Sequence, residues 1–432
     1  MKNNVSYANA VSRLYRLQKF GIKLGLSKTI SLLKAFGNPH ESQTYIHIAG
    51  TNGKGSVAAF ICSILKQAGL RVGLYSSPHL VRFSERFRIN DREISPEDLI
   101  SLIEEMYDLI PPFDPPTFFE ATTAMALTYF SRKKTDISII EVGMGGRLDS
   151  TNIINPLISV ITNISLEHQA FLGSTVLSIA EEKAGIIKPG IDMVSGATQT
   201  HVNRLFESLC SQKGSPFWRL GKEIRYRSDP SGFNYYGLRH KFRGLESGLI
   251  GKFQARNGSL ALAVIELLEA KGFRISEDDI TKGLACASWP GRMHIMSKNP
   301  TVILDGAHNP AGIRAMAHSV RNGFKYRRLI LVIGIMEDKA IGSILEGIVP
   351  YSDHVIFTRP KYSRAAPPER LMAEASNFEK PKETAPALPH ALNRAKELAT
   401  SEDLILVCGS LFTVGEALTY FDPEKYLPDD FY

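Results

Sequence analysis

The chain has 432 residues, 44% of them hydrophobic, with Lys+Arg 51 against Asp+Glu 44 for a formal net charge of +7. That length exceeds one ordinary core and points to two domains, and the composition is that of a globular protein without low-complexity segments. Mild basicity suits anionic ligands such as nucleotides or carboxylates, though it serves solubility equally well. Cys62, Cys210, Cys286 and Cys408 stand far apart with no C-x-x-C pair, which argues for a reduced compartment with neither a disulfide framework nor a zinc site. Met1 to Asn4 is polar and lacks the apolar core of a signal peptide, and no apolar run approaches a membrane span. A soluble cytoplasmic protein without membrane contact is expected. No Lys/Arg run argues for nucleic acid, and aromatic residues interleave with basic ones only around Trp218 to Phe242, so no nucleic-acid partner is expected either.

In chain order, Leu14, Leu17, Phe20 and Leu24 recur near helical spacing, and Ser27 reads as the cap of a second helix over Lys28 to Phe36. A strand, His47 to Ala49, then runs into Gly50-Thr51-Asn52-Gly53-Lys54-Gly55-Ser56, and an apolar helix from Val57 to Ala68 follows at once. That order makes a phosphate cradle. Backbone N–H groups close on an anion, the helix N-terminus adds its positive end, and the lysine reaches the outer phosphates. The spacing departs from a standard Walker A, since Gly50 stands three residues before Gly53 and Gly55 separates Lys54 from Ser56.

Val72 to Tyr75 is the next strand, Pro96 to Leu109 a helix opened by Ser95, and Thr122 to Phe130 an apolar helix. Ile137 to Val142 and Leu157 to Thr162 are continuous apolar runs of strand length, the pattern of a parallel sheet covered on both faces. From Phe217 to Phe253 aromatic, basic and glycine residues alternate as in antiparallel strands, and a helix from Asn257 to Lys271 closes this half. The Pro/Gly punctuation of Ala287 to Met293 marks a linker. Beyond it, strands at Thr301 to Leu304, Leu329 to Ile333, His354 to Phe357 and Leu404 to Val407 alternate with helices that include Ala311 to Val320 and Ala391 to Ala399. The expected fold class is α/β. A P-loop ATPase-type parallel-sheet domain with a small antiparallel β flap at about 217–253 fills residues 1–290, and a smaller Rossmann-like α/β domain fills 291–432.

Several polar residues fall where such a fold places ligands, beyond the carboxyl ends of the strands. Glu141 ends the strand before Gly143-Met144-Gly145-Gly146-Arg147, where a Walker-B-like acid would hold Mg²⁺, although a solvated end-of-strand glutamate fits as well. His168 follows the next strand and would reach the same crevice, but imidazole on Mg²⁺ is chemically unusual, so the residues alone make it only a polar site residue. Either hydroxyl of Ser76-Ser77-Pro78-His79 could coordinate a cation, or the segment is an ordinary Ser-Pro turn. Lys183, among glutamates, reads as a helix-surface lysine. In the second domain, Asp305-Gly306-Ala307-His308-Asn309-Pro310 suggests ligand contacts or an Asp-Gly turn with a capping Asn, and Arg292 lies in the linker, able to reach phosphates when the domains close.

Together these residues resemble the folylpolyglutamate synthase/dihydrofolate synthase branch of the Mur ligase superfamily. The phosphate loop is joined, in that family's order, by Tyr75 to Leu80 with Ser84-Glu85-Arg86, Phe119-Glu120, Glu141 to Asp149, Glu182-Lys183-Ala184-Gly185, Pro290-Gly291-Arg292 and Asp305 to Pro310. The resemblance implies that Thr51, Asn52, Gly53, Lys54, Gly55 and Ser56 bind ATP phosphates, with Asn257, Arg292, Asp305 and His308 as further ATP contacts. It implies a first Mg²⁺ on Ser77, Glu141 and His168, and a second held with the help of an N6-carboxylated Lys183. Lys54, Lys183 and His168 become the catalytic set, and Phe118, Phe119, Glu120, Leu148, Asp149 and Ser150 lie where the family binds the pterin. Departures are few: Gly258 follows Asn257 where alanine is usual, Ser150 stands where alanine is frequent, and Gly334 to Lys339 is a looser version of the family segment.

The activity so implied is ATP-dependent addition of L-glutamate to 7,8-dihydropteroate and to reduced folates, through an acyl phosphate, by a monomer. Competing readings are a folylpolyglutamate synthase alone, or a Mur-like amide ligase with another carboxylate acceptor. A cell-wall Mur enzyme would need a UDP-binding domain ahead of the phosphate loop, where only about 40 residues stand. A P-loop kinase or GTPase switch would show a base-specificity motif. A non-catalytic nucleotide module would be expected to lack Lys54, Glu141 or Lys183, and all three are present.

Overall fold

The computed structural model describes residues 6–429 apart from 22, 24, 111–113, 230 and 231. Eight strands, β1 (Tyr45–Ala49), β2 (Val72–Tyr75), β3 (Phe87–Ile89), β4 (Arg92–Glu93), β5 (Ile137–Glu141), β6 (Ile158–Ile161), β7 (Asp192–Ser195) and β8 (Phe217–Arg219), form one sheet. Their order is β4-β3-β2-β5-β1-β6-β7-β8, parallel from β2 to β8, with β3 and β4 added antiparallel at one edge. The central strands β5, β1 and β6 are buried along their whole length, as a sheet covered on both faces requires. The chain leaves β1 toward β2 on one side and later returns to β6 on the other, so a topological switch point opens beyond the carboxyl end of β1. That is where the glycine-rich turn stands.

The helix after the turn, Lys54–Gln67, is buried almost all round, packed between the sheet and the helices Phe253–Ala270 and Glu277–Cys286. Gly283 permits the closest approach, because a Cβ there would lie 2.5 Å from the Ile64 Cα. On the opposite face, the helix Phe118–Arg132 packs with Tyr7–Tyr15 and Pro96–Leu109 around Phe83, Phe87 and Phe130.

A three-stranded antiparallel flap follows, β9 (Arg225–Asp229), β10 (Gly232–Tyr236) and β11 (Lys241–Leu245), ordered β11-β10-β9. The second domain carries β12 (His294–Lys298), β13 (Thr301–Leu304), β14 (Leu329–Ile333), β15 (His354–Phe357), β16 (Lys382–Thr384) and β17 (Leu404–Cys408). Their order is β12-β13-β17-β14-β15-β16, all parallel except β12, with helices on both faces. The expected α/β class and the two sheets are present.

Several expected boundaries shift, each for a local reason. Ser27 is the first residue of the helix Ser27–Ala35 and not its cap, a position taken by Leu26 without a side-chain hydrogen bond. Leu14 and Leu17 are buried as their spacing predicts, but the helix stops at Tyr15 and a 3₁₀ turn, Arg16–Phe20, continues; Leu24 and Met1 to Asn4 lie outside the described residues. The helix read from Thr122 begins at Phe118, because Thr117 and Glu120 form a capping box. Phe217–Arg219 is the edge strand of the main sheet, parallel to β7, so the antiparallel flap is confined to Arg225–Leu245. Phe253 opens the helix that was expected to start at Asn257.

His47 sits at the middle of β1, wholly buried, with Nε2 bonded to Thr151 Oγ1 at 2.9 Å and Nδ1 without a hydrogen-bond partner among the described residues. Burial first, then the charge of Lys188, lowers its pKa from 6.5 to about 3. The unfolded chain therefore binds a proton that the folded one refuses. Stability is complete above about pH 6.5 and declines as pH falls toward about 3. Between about pH 7.5 and about pH 5 this one group accounts for a loss of about 2 kcal/mol. In urea denaturation His47→Gln is expected to lose correspondingly less stability over that interval than the parent; equal losses would show that His47 is not the group responsible.

Candidate active site

The glycine-rich turn is held in place by the strand beside it. Thr51 Oγ1 donates to the Ser165 carbonyl and accepts from the Ser165 N–H, both at 3.1 Å, while the Asn52 N–H donates to Asn163 Oδ1 at 2.8 Å. Gly50 has φ +143° and leaves no room for a Cβ against Thr162, and Gly53 has φ +88° with Asn257 Oδ1 2.7 Å from where a Cβ would stand. Both turn glycines are thus required by backbone conformation and by close approach. Asn257 donates to Gln254 Oε1 at 2.8 Å, and Gln254 reaches Ser56 Oγ at 3.4 Å, which ties the start of the Phe253–Ala270 helix to the phosphate loop.

Charged groups gather beyond this turn. Lys54 Nζ lies 3.2 Å from the Gly50 carbonyl and 3.9 Å from Glu141 Oε1. Lys183 Nζ donates to the same Gly50 carbonyl at 3.0 Å. Lys183 is only 3% exposed, so the surface-lysine reading is wrong: it projects from the last turn of Val176–Ala184 into the interior. Burial, then Lys54, lowers its pKa to about 8. Glu141 is buried, and burial raises its carboxyl above the usual range against the pull of Lys54 and the Ser77 N–H, which donates at 3.3 Å. Burial likewise holds His168 neutral, with its pKa lowered to about 4.

Sequence reasoning missed Glu167. Burial alone would raise its pKa, yet its contact with His308 and the charge of Lys54 hold it well below the carboxylate range. It lies 3.7 Å from His168 and 3.4 Å from His308. The signal was an acid next to His168 at a strand end, and the meeting of the two domains adds His308 as its partner.

The second domain reaches the turn through the segment Asp305 to Pro310. Asn309 caps the helix Pro310–Gly323, accepting from the Gly312 N–H at 2.8 Å. Its Nδ2 donates to Asn52 Oδ1 at 2.9 Å while Asn52 Nδ2 donates back to Asn309 Oδ1 at 3.2 Å. Asp305 accepts from the N–H groups of Met293 and Ala307 at 2.8 and 2.9 Å, and Arg292 packs against Gly306, where a Cβ would lie 2.7 Å from its Nη1. A Cβ on Gly55 would stand 2.6 Å from Trp289 Nε1, so the linker too rests on the phosphate loop.

A cavity of about 770 Å³ lies between the domains and reaches this cluster at His168 and His308. Its first-domain wall holds Tyr15 and Phe118, stacked at 5.3 Å, with Phe119, Leu148, Asp149 and Ser150. Ser77, His168 and His308 line its inner end, and Tyr362 and Phe412, stacked at 3.8 Å, line it from the second domain. Two of the expected substrate residues have other work. Glu120 turns back to accept the Thr117 N–H at 2.7 Å and does not line the cavity. Asp149 reaches the wall, but its carboxylate is spent on the N–H groups of Met144 and Thr151 at 2.9 and 3.0 Å.

The donor set fits a divalent cation. Glu141 offers a buried carboxylate with free lone pairs, Ser77 a hydroxyl and His168 a neutral imidazole. No three His, Cys, Asp or Glu side chains converge among the described residues, so the cation would depend on phosphate oxygens to complete its shell.

The Asn52–Asn309 pair yields a test that separates the cap from the bridge. Asn309→Asp keeps the capping oxygen but sets acceptor against acceptor on one side of the pair. It is expected to hold the melting temperature within about 3 °C while raising the KM for nucleotide several-fold. Asn309→Ala, which loses both roles, is expected to lower stability by about 1 kcal/mol as well. An unchanged KM in both variants would rule out the bridge.

The chain is similar to known proteins along nearly its whole length. The Mur ligase middle domain matches residues 48–265, and the Mur ligase glutamate ligase domain matches residues 291–411. The chain is 32% identical over 425 residues to dihydrofolate synthase/folylpolyglutamate synthase of Bacillus subtilis, covering 95% of this chain and 98% of that protein. It is 35% identical over 433 residues to a probable bifunctional folylpolyglutamate synthase/dihydropteroate synthase of Haloferax volcanii, of which it spans only 50% while 96% of this chain is covered. Escherichia coli FolC in complex with DHPP and ADP superposes with a TM-score of 0.89 at 31% identity, over 96% of this chain and 98% of that one. The chain belongs to the Mur ligase family of ATP-dependent ligases, in its dihydrofolate synthase/folylpolyglutamate synthase branch.

Proposed function

We propose that this protein joins L-glutamate to 7,8-dihydropteroate and, through the γ-carboxyl, to reduced folates, using ATP. The observation that carries the reading is the continuity of one cavity from the Tyr15–Phe118 stack to Ser77, His168 and His308 beside the phosphate loop. A flat heteroaromatic ring against that wall would direct a carboxylate toward the γ-phosphate of ATP held by Thr51 to Ser56.

A carboxylate is a poor acyl donor because its oxygen is a poor leaving group. Its oxygen attacks the γ-phosphorus, the bond to the β-bridging oxygen breaks, and ADP leaves. The glutamate nitrogen then attacks the acyl carbon, loses a proton, and expels phosphate as the amide forms. Lys54 neutralises charge on the phosphates during the first step. Asn257, Arg292, Asp305 and His308 stand where nucleotide contacts would close the second domain over ATP, and that closure shields the acyl phosphate from water. Ser77, Glu141 and His168 would hold one Mg²⁺, and Lys183 would help hold a second; these ions supply charge neutralisation on the transferring phosphoryl group.

Lys183 supports its own carboxylation. A buried amine with pKa about 8 is neutral in a substantial fraction near physiological pH, as attack on CO₂ requires. The product is an anion, which removes the repulsion between Lys183 and Lys54. We place the domain boundary at residues 290–291 and take the enzyme to be a cytoplasmic monomer; no helix among the described residues is long and apolar enough to cross a membrane.

Glutamate-dependent ADP release by the purified protein with MgATP tests the reading, with 7,8-dihydropteroate and tetrahydrofolate offered separately. Turnover with both is expected. Turnover with tetrahydrofolate alone would leave a folylpolyglutamate synthase, and turnover with neither would leave a Mur-like ligase of another carboxylate. Lys183→Ala is expected to lower turnover by about 10²–10³-fold, with partial recovery on adding a short carboxylic acid to replace the missing anion. Lys183→Arg should not recover, and equal activity in all three proteins would exclude carboxylation.

A further inference from the structure

The flap has no part in the site described above, yet it concentrates the charge of the molecule. Residues 225–245 hold five Lys/Arg against one Asp, so +4 of the net +7 lies in this one element.

The strand register sorts the flap into two faces. Phe233, Tyr235, Phe242 and Leu245 are buried against the first domain's core. On β10 the residues between them, Asn234 and Tyr236, point the other way. Tyr236 is paired with Arg225 on one side and Lys241 on the other, and Asn234 is paired with Arg227. Arg243, next to the inward Phe242, also faces out. Residues opposite one another in an antiparallel pair share a face. The outer surface is therefore a grid: a tyrosine and an asparagine along the central strand, with cations on both flanks and Asp229, opposite Gly232, at one corner.

Arg225, Arg227, Lys241 and Arg243 are exposed, and none makes an ion pair with another described residue. Asn234 Oδ1 accepts from the Gly244 N–H at 2.8 Å, and its Nδ2 has no hydrogen-bond partner among the described residues. The cations are separated by strand geometry and not by sequence, which is why no Lys/Arg run announced them.

The geometry points to this outer face as a docking surface for single-stranded RNA. A sheet with an aromatic ring on its central strand gives a base something to stack on, and flanking cations give the backbone phosphates partners. Asn234 adds a donor for a base edge. Arg225 and Arg227 stand about 7 Å apart along β9, the scale of one extended nucleotide step. An acidic peptide would use the cations but give Tyr236 and Asn234 nothing to do. A lipid surface would need exposed apolar side chains, and this face has none beyond the tyrosine ring.

Fluorescence anisotropy of the full-length protein with a labelled short oligouridine tests the proposal, titrated at about 50 and about 200 mM salt. Saturable binding is expected, with log K falling against log salt at a slope of about −3, from four phosphate contacts on a single strand. Arg225→Glu with Arg227→Glu should weaken binding by at least about tenfold and roughly halve that slope. Tyr236→Ala should weaken it about tenfold with the slope unchanged, since it removes stacking and no charge. Ligase turnover and melting temperature should stay at the parental level in both variants, which separates loss of docking from loss of folding. Absence of saturable binding at the lower salt would overturn the proposal. So would equal binding of a duplex or heparin together with indifference to Tyr236→Ala, which would make the face a general polyanion or acidic-protein surface.

Discussion

Two ammonium groups, that of half-buried Lys54 and that of buried Lys183, approach the one carbonyl oxygen of Gly50, at 3.2 and 3.0 Å. Taking two like charges out of water is costly, and proximity adds repulsion to desolvation. The fold offsets this with Glu141, buried 3.9 Å from Lys54, and with Glu167, whose largely covered carboxylate feels the charge of Lys54. What remains is a pocket with a strong preference for further anions and for cations that bridge them. The depressed pKa of Lys183 and the raised pKa of Glu141 express the same constraint from opposite signs, each group pressed toward its neutral form. Phosphate binding and divalent-metal binding are two ways of relieving it.

The joint between the domains depends on that pocket. Glu167 is held ionised largely by His308, a residue of the other domain, and the phosphate-loop Asn52 exchanges a pair of hydrogen bonds with Asn309. Trp289 of the linker lies against Gly55, with Arg88 above its ring at 5.4 Å. The glycine-rich turn is therefore both the proposed nucleotide cradle and the surface on which the second domain sits. Its unusual spacing has a physical use: Asn52 and Gly55 stand where the second domain and its linker make contact.

The flap shows a different economy. Its inner aromatic residues extend the core beneath the Phe253–Ala270 helix, and its outer residues need no such packing. Period-two alternation lets one short segment carry an apolar face and a cationic face at once. Chemistry on that outer face is free to differ from the chemistry of the cavity.

Much of this was legible in the chain. Val57 to Leu65 is apolar but for Ser63 because the helix is enclosed on nearly every side, and Ile137, Ile139 and Ile140 are apolar because their sheet is covered on both faces; such patterns survive any rearrangement of the rest. Gly50 and Gly53 announced a turn that only glycine tolerates. Lys183 could not be read from its neighbours, since Glu181 and Glu182 beside it suggest a surface, and only the docking of Val176–Ala184 under the loop buries it. Glu120 looked like a ligand residue because it follows Phe119, yet a capping box consumed it. Glu167, the Asn52–Asn309 pair and the cation rows of the flap join residues distant in sequence or interleaved across strands. Local pattern determined the elements and the phosphate turn. Burial, charge pairing and cross-strand register are properties of the assembled space, and they alone decided which polar groups became the site.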